Sequence, residues 1–221
     1  MTKVVHPYSH RIGILRDWKS KWFFSGAKYK DNLVSDLKLR KFLDKRLKGL
    51  FVSLVEIERS EKALRIILKT SRPGVIIGRS GEGAQKLKAD IEKFIRKNNL
   101  EASAEVKVDI VEVDNPDADA RIVAYSVAEG LEKRMPFRRV GKQVVEKVMA
   151  TRGVEGVRIL LSGRLGGADM ARTEEIKKGS IPLQTFRADI DFARERASLP
   201  YGDIGIKVWI YKGEVFEDNN N

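Results

Sequence analysis

Val75-Ile76-Ile77-Gly78-Arg79-Ser80-Gly81 is the stretch on which the reading of the chain turns. A short apolar piece runs into two glycines separated by two polar residues. Beyond it, Leu87, Ile91, Phe94 and Ile95 recur at helical spacing. The segment therefore predicts two helical pieces joined by a glycine loop. Glycine lacks a Cβ, so the main chain of such a loop can come close to a sugar–phosphate backbone. Amide N–H groups opening the second helix, helped by its dipole, favour an anion there. Arg79 adds a cation, and Lys86 and Lys88 follow just downstream. A lone G-x-x-G is still more often an ordinary helix–turn–helix connection than an RNA clamp.

The flanking sequence supplies the context. Upstream, residues 51–58 and 63–70 predict two strands joined by the polar turn Arg59-Ser60-Glu61-Lys62, a hairpin. Before them, residues 30–48 predict a helix with an apolar stripe of Leu33, Val34, Leu37, Phe42, Leu43 and Leu47. Downstream, Val106, Val108 and Ile110 alternate with Lys107 and Asp109 over 104–113, the pattern of a half-buried strand. The order is helix, strand, strand, short helix, glycine loop, helix, strand. Asn115-Pro116 then breaks the pattern and marks a domain boundary. At the other end, residues 1–16 show no periodicity and predict an extended arm that orders on a partner. After it, Trp18, Trp22, Phe23, Phe24 and Tyr29 interleave with Lys19, Lys21, Lys28 and Lys30. Such rings stack on bases, with lysines on phosphates, or else pin the arm to the protein body.

The second half opens with two predicted helices, 117–134 and 138–151. Val123, Val127 and Leu131, then Val140, Val144 and Val148, recur every four residues. Strands are predicted at 156–162, 185–193 and 204–211, with a weaker signal near 171–177. Helices followed by a run of strands imply an α+β layer, two helices on an antiparallel sheet. Within the second helix, Arg138, Arg139 and Lys142 span roughly 100° of one edge, away from the valines. Such a cluster is a solvated surface or a polyanion site. The run Ser162-Gly163-Arg164-Leu165-Gly166-Gly167-Ala168 reads as a hairpin turn, with Arg164 and Arg172 as possible phosphate ligands.

Charge narrows the function class. The 221 residues carry a net +12, which attracts polyanions. Residues 1–50 hold thirteen Lys or Arg against four acids, a net +9, whereas residues 185–221 carry a net −2. One end is thus expected on a polyanion and the other packed or facing protein. No apolar run approaches the roughly 20 residues of a membrane span. Cysteine is absent, which excludes disulfides and thiolate chemistry. No P-loop or G-x-G-x-x-G is present: the position that needs a third glycine holds Lys86. His6 and His10 flank Pro7, and Asp189 and Asp191 make a weak metal pair. No cofactor, metal or catalytic residue is therefore expected.

Taken in order, the motifs resemble those of the small-subunit ribosomal protein three family. They run from Val5-His6-Pro7, Trp22-Phe23 and Asp31-Asn32-Leu33 to Ser71-Arg72-Pro73-Gly74 and Phe137-Arg138-Arg139. They continue through Ser162–Ala168, Ala171-Arg172-Thr173-Glu174, Arg187-Ala188-Asp189-Ile190-Asp191 and Ile204–Ile210. The resemblance implies a K-homology type II domain over 17–114, after the arm 1–16. A C-terminal α+β ribosomal domain over 115–213 and a short tail, 214–221, would follow. It implies a non-enzymatic, cytoplasmic ribosomal protein that binds small-subunit ribosomal RNA in the head and contacts messenger RNA at the entry site. Small-subunit proteins ten and fourteen would be its neighbours. Gly78, Arg79, Ser80 and Gly81 would form the RNA-binding loop. Arg138, Arg139 and Lys142 match the family's entry-site cations. Lys3, Arg11, Trp22, Lys86, Arg164 and Arg172 are further candidate RNA contacts. The family loop often has two basic residues, but here Ser80 follows Arg79. A free-standing K-homology protein and a nucleic-acid hydrolase are the competing classes. The second lacks an acid, base or metal constellation, and the first has no need of the C-terminal motifs.

Overall fold

The computed structural model describes residues 5–60, 63–98 and 105–216. The chain forms two compact units. One is continuous, Trp18–Asp114; the other joins the residues up to Asp17 with those from Asn115 onward.

The continuous unit contains β1 (Ser20–Lys21), α2 (Ala27–Arg46), β2 (Val52–Arg59), β3 (Ala63–Thr70), α3 (Pro73–Ile77), α4 (Glu82–Lys97) and β4 (Glu105–Glu112); α1 lies in the other unit. Its sheet runs β1-β2-β3-β4. The predicted hairpin forms, with β2 antiparallel to β3, and β4 then adds parallel to β3. Parallel pairing needs a crossover, and α3 and α4 provide it. Leu87, Ile91 and Ile95 of α4 and Leu39 and Leu43 of α2 pack on Ile57, Leu64, Ile66 and Leu68.

The predicted stripe of α2 holds only in its second half. Leu33, Val34 and Leu37 are exposed, and Asn32, Ser35 and Asp36 are buried instead. The reason is Arg59, which enters from β2 with its side chain only 7% exposed. Its Nε donates to Asp36 Oδ1 (2.8 Å), Nη1 to Asn32 Oδ1 (3.1 Å) and Nη2 to the Ser35 hydroxyl (2.8 Å). Trp22 Nε1 donates to the other Asp36 oxygen at 2.8 Å. A buried charge is tolerable only when paired and hydrogen-bonded, and this one is both.

The second unit contains α1 (Pro7–His10), α5 (Ala120–Glu132), α6 (Phe137–Met149), β5 (Gly156–Gly163), β6 (Arg172–Gly179), β7 (Ala188–Leu199) and β8 (Gly202–Glu214). Its sheet is antiparallel throughout, in the order β6-β5-β8-β7. Both helices cover one face. Val123, Val127, Val140, Val145 and Val148 pack on Val157, Ile159, Ile206 and Val208. Asp119 and Asp191 secure the start of α5: Asp119 Oδ1 accepts from the amides of Arg121 and Ile122, and Asp191 Oδ2 from that of Ala120. Gly141 sits where α6 crosses β6. A Cβ there would overlap Ile176 Cδ1. The residue costs helix propensity, about 1 kcal/mol, and in return lets the helix lie close on the sheet.

Residues 5–16 are not the extended, partner-dependent arm that aperiodicity predicts. They hold the single turn α1 and pack into the second unit. Arg11 is their anchor. It is fully buried, and its guanidinium donates to the carbonyls of Ala188 (2.6 Å), Thr185 (2.9 Å), Leu183 (3.1 Å) and Pro7 (3.1 Å). Burial pushes its pKa below the usual guanidinium range, with Asp189 opposing. Arg16 pairs with Asp189 at 2.5 Å, and the His6 ring meets Phe192 edge-on.

Candidate RNA interface

The glycine loop lies between α3 and α4, as its spacing predicts. Gly78 (φ 71°) and Gly81 (φ 82°) take left-handed backbone that their lack of a Cβ permits. Ser80 takes the same region (φ 50°) despite its Cβ. Arg79 and Ser80 are both exposed. Among the described residues Arg79 has no ion-pair partner. Lys86 pairs with Glu82 one turn away at 3.7 Å, both side chains more than 70% exposed. Such a pair contributes little, so Lys86 remains available to an anion.

The second cationic site is the edge of α6. Val140, Val145 and Val148 are buried against the sheet, while Arg138, Arg139 and Lys142 face outward. Among the described residues Arg139 and Lys142 have no ion-pair partner. Arg138 is held: its Nη2 and Nε lie 3.2 and 3.4 Å from the Glu174 carboxylate. That hydrogen bond, and then the charge, raises the Arg138 pKa above its usual value. Arg172 reaches the same carboxylate at 3.4 Å, and both guanidinium groups stand 5.6 Å from the Phe137 ring centre. Arg172 thereby joins the α6 edge from β6. Glu174, which holds both arginines, enters the sequence reading only as the end of the Ala171–Glu174 motif, with no role of its own. Periodicity does not separate its role from that of its neighbour Glu175, because only strand register shows which of the two faces α6.

The remaining candidates divide. Arg164 closes the turn after β5, donating to Ala168 O (2.9 Å), Tyr201 O (3.2 Å) and Asp169 Oδ1 (3.0 Å). It shapes the loop, and Gly163, Gly166 and Gly167 there all have positive φ. Trp22 is half-buried against Phe24 and Tyr29, with its N–H committed to Asp36. Arg11 as an RNA contact is corrected: its guanidinium is buried and engaged with protein carbonyls. Lys3 lies outside the described residues. Asp189 and Asp191 are taken by Arg16 and the start of α5, and no group of three metal-ligating side chains occurs among the described residues. No helix among them is long and apolar enough to cross a membrane.

The fold defines the class: a two-domain α+β protein with one exposed cationic edge on a glycine loop and another on a helix packed over an antiparallel sheet. The comparisons with known proteins agree. Residues 38–118 match the KH domain family, and residues 127–210 match the family of the ribosomal protein S3 C-terminal domain. Over 97% of its length the chain is 46% identical to the small ribosomal subunit protein uS3 of Clostridium novyi (strain NT), covering 94% of that protein. It is 43% identical to the uS3 of Clostridium botulinum (strain Okra / Type B1), with 100% of this chain and 96% of that protein aligned. It is 44% identical to the uS3 of Clostridium perfringens (strain SM101 / Type A), with 97% and 94% aligned. The chain belongs to the uS3 family of small ribosomal subunit proteins, which are structural and not enzymatic.

Proposed function

We propose that the chain is a structural constituent of the small ribosomal subunit that binds ribosomal RNA of the head and contacts messenger RNA where it enters. The observation that carries the entry-site part is the α6 edge. Arg139 and Lys142 are exposed, without ion-pair partners among the described residues, on a helix whose other side is locked into the core. They form a fixed row of charge, with Arg138 and Arg172 completing it over Phe137. Such a row neutralises a phosphate backbone and positions a strand without reading its sequence. The Gly78–Gly81 loop suits a single-stranded contact of the kind KH domains make. Exposed Phe23, Leu33 and Leu37 offer apolar surface for a protein neighbour, for which small-subunit proteins ten and fourteen are the candidates.

Tagged chain expressed in a bacterium should sediment with small subunits; its absence from them would refute the ribosomal reading. Changing Arg138, Arg139 and Lys142 together to alanine should lower RNA affinity and reduce the slope of log affinity against log salt by about 2, at roughly 0.7 per lost contact to a single strand. An unchanged slope would remove α6 from the interface.

A further inference from the structure

We propose that the helix-free face of the second unit's sheet is an additional binding surface for the phosphate backbone of RNA. It uses none of the residues assigned above. Strand register places its charges. Lys177 on β6 stands opposite Arg158 on β5, and Lys207 on β8 opposite Arg194 on β7. Arg196 follows two residues along β7 and so shares that side. Among the described residues two carboxylates form ion pairs with these five cations: Glu175, 2.7 Å from Arg158, and Asp203, 3.4 Å from Arg196. The face is therefore net positive although residues 185–221 sum to −2. Three other acids of that segment are engaged away from this patch. Asp189 and Asp191 hold the arm and α5, and Glu214 pairs with Arg187.

Three features make this more than scattered surface charge. Lys177, Lys207 and Arg194 have no ion-pair partner among the described residues. Aromatic rings support two of the guanidinium groups, Arg158 over Trp209 at 4.9 Å and Arg194 over Phe192 at 5.3 Å. A supported guanidinium loses less freedom when it meets a phosphate. Within this unit the cover is partial. Ile181, Leu183 and the arm close the end holding Tyr211, while the end built on Ser162 and Gly205 has small side chains that let a backbone approach. Charge at the centre of a patch is what protein interfaces avoid and nucleic-acid interfaces use.

The test uses the full chain with two probes, a labelled 20-nucleotide single-stranded RNA and a labelled 20-base-pair RNA duplex, titrated at several salt concentrations. The variant Arg194→Gln/Arg196→Gln/Lys207→Gln should bind at least one probe tenfold or more weakly near 0.1 M salt. Its salt slope should fall by about 2, three contacts at roughly 0.7 to 0.9 each. The probe that loses more shows whether strand or duplex lies on the face. Glu175→Gln frees Arg158 and should bind more tightly, a gain that misfolding cannot imitate. Wild-type affinity and slope in both variants would overturn the inference. The α6 reading would then still stand if its own triple variant lost binding. Unchanged RNA binding together with lost recovery of a small-subunit protein would also overturn it, assigning the face to protein.

Discussion

Arg139 and Arg11 are the same residue type placed in opposite circumstances. On α6, Arg139 and Lys142 stand in solvent with no ion-pair partner among the described residues, on a helix held by valines. In the arm, Arg11 lies inside the protein with its donors directed at four carbonyl oxygens. Arg59 in the KH unit belongs with Arg11, except that a carboxylate neutralises it. The net charge counts these residues equally, yet only the α6 set can give long-range attraction and released counterions to a binding partner. The buried pair instead holds segments together, and a buried cation contributes in proportion to what is lost when it is removed.

That contrast can be broken by mutation, and the stability changes should fall in order. Arg59→Ala leaves Asp36 buried without a counter-charge and should cost about 3–5 kcal/mol in denaturant unfolding. The double change Arg59→Met/Asp36→Leu should recover much of that loss, because it removes both charges. Failure to recover would mean that Trp22 and the α2 hydrogen bonds, not the charge, dominate. Arg11→Leu orphans carbonyls but leaves no buried charge, so its cost should be smaller, about 1–3 kcal/mol. Proteolysis should then nick the chain between residues 5 and 17 before any other site; uniform cleavage would show that the arm is held by other contacts. Smallest of all, Arg79→Asp/Ser80→Asp should leave the unfolding midpoint unchanged while weakening single-stranded RNA binding. Equal binding by that variant would reduce the glycine loop to a turn.

The elements with a clean period are legible in the sequence. Val106, Val108 and Ile110 announced β4, and Val140 and Val148 announced α6, although Val145 and not Val144 proves the more deeply buried neighbour. The weakly signalled β6 is an edge strand, Arg-Thr-Glu-Glu-Ile-Lys-Lys-Gly, with Ile176 its only large apolar residue, so its alternation is between polar residues. β7 reaches Leu199, beyond the predicted end at 193, because Arg194, Glu195 and Arg196 hide Ala193 and Ala197, whose inward side chains are small. The two-residue β1 leaves no periodic trace. The arm and the first half of α2 depart from the hydrophobic pattern for one shared reason. Their buried positions are polar or charged, Arg11 in one and Asn32, Ser35 and Asp36 in the other, and a hydrophobic pattern is blind to side chains buried by pairing. At the candidate site, the glycine loop and the α6 cations could be named in advance, but which arginines were already spoken for could not.

Arg11 and Ala188, whose carbonyl it holds, are 177 residues apart in the chain. During synthesis the arm leaves the ribosome early and its binding ledge, Leu183 to Ala188, late. At 5–20 residues per second the guanidinium waits roughly 10–35 seconds for its carbonyls. In that interval the continuous KH unit has every residue it needs to fold, whereas the other unit cannot close. The arm is thus fastened only once its ledge has been made, so a product stalled before residue 183 would carry residues 5–17 undocked, open to proteases and to any anion in reach.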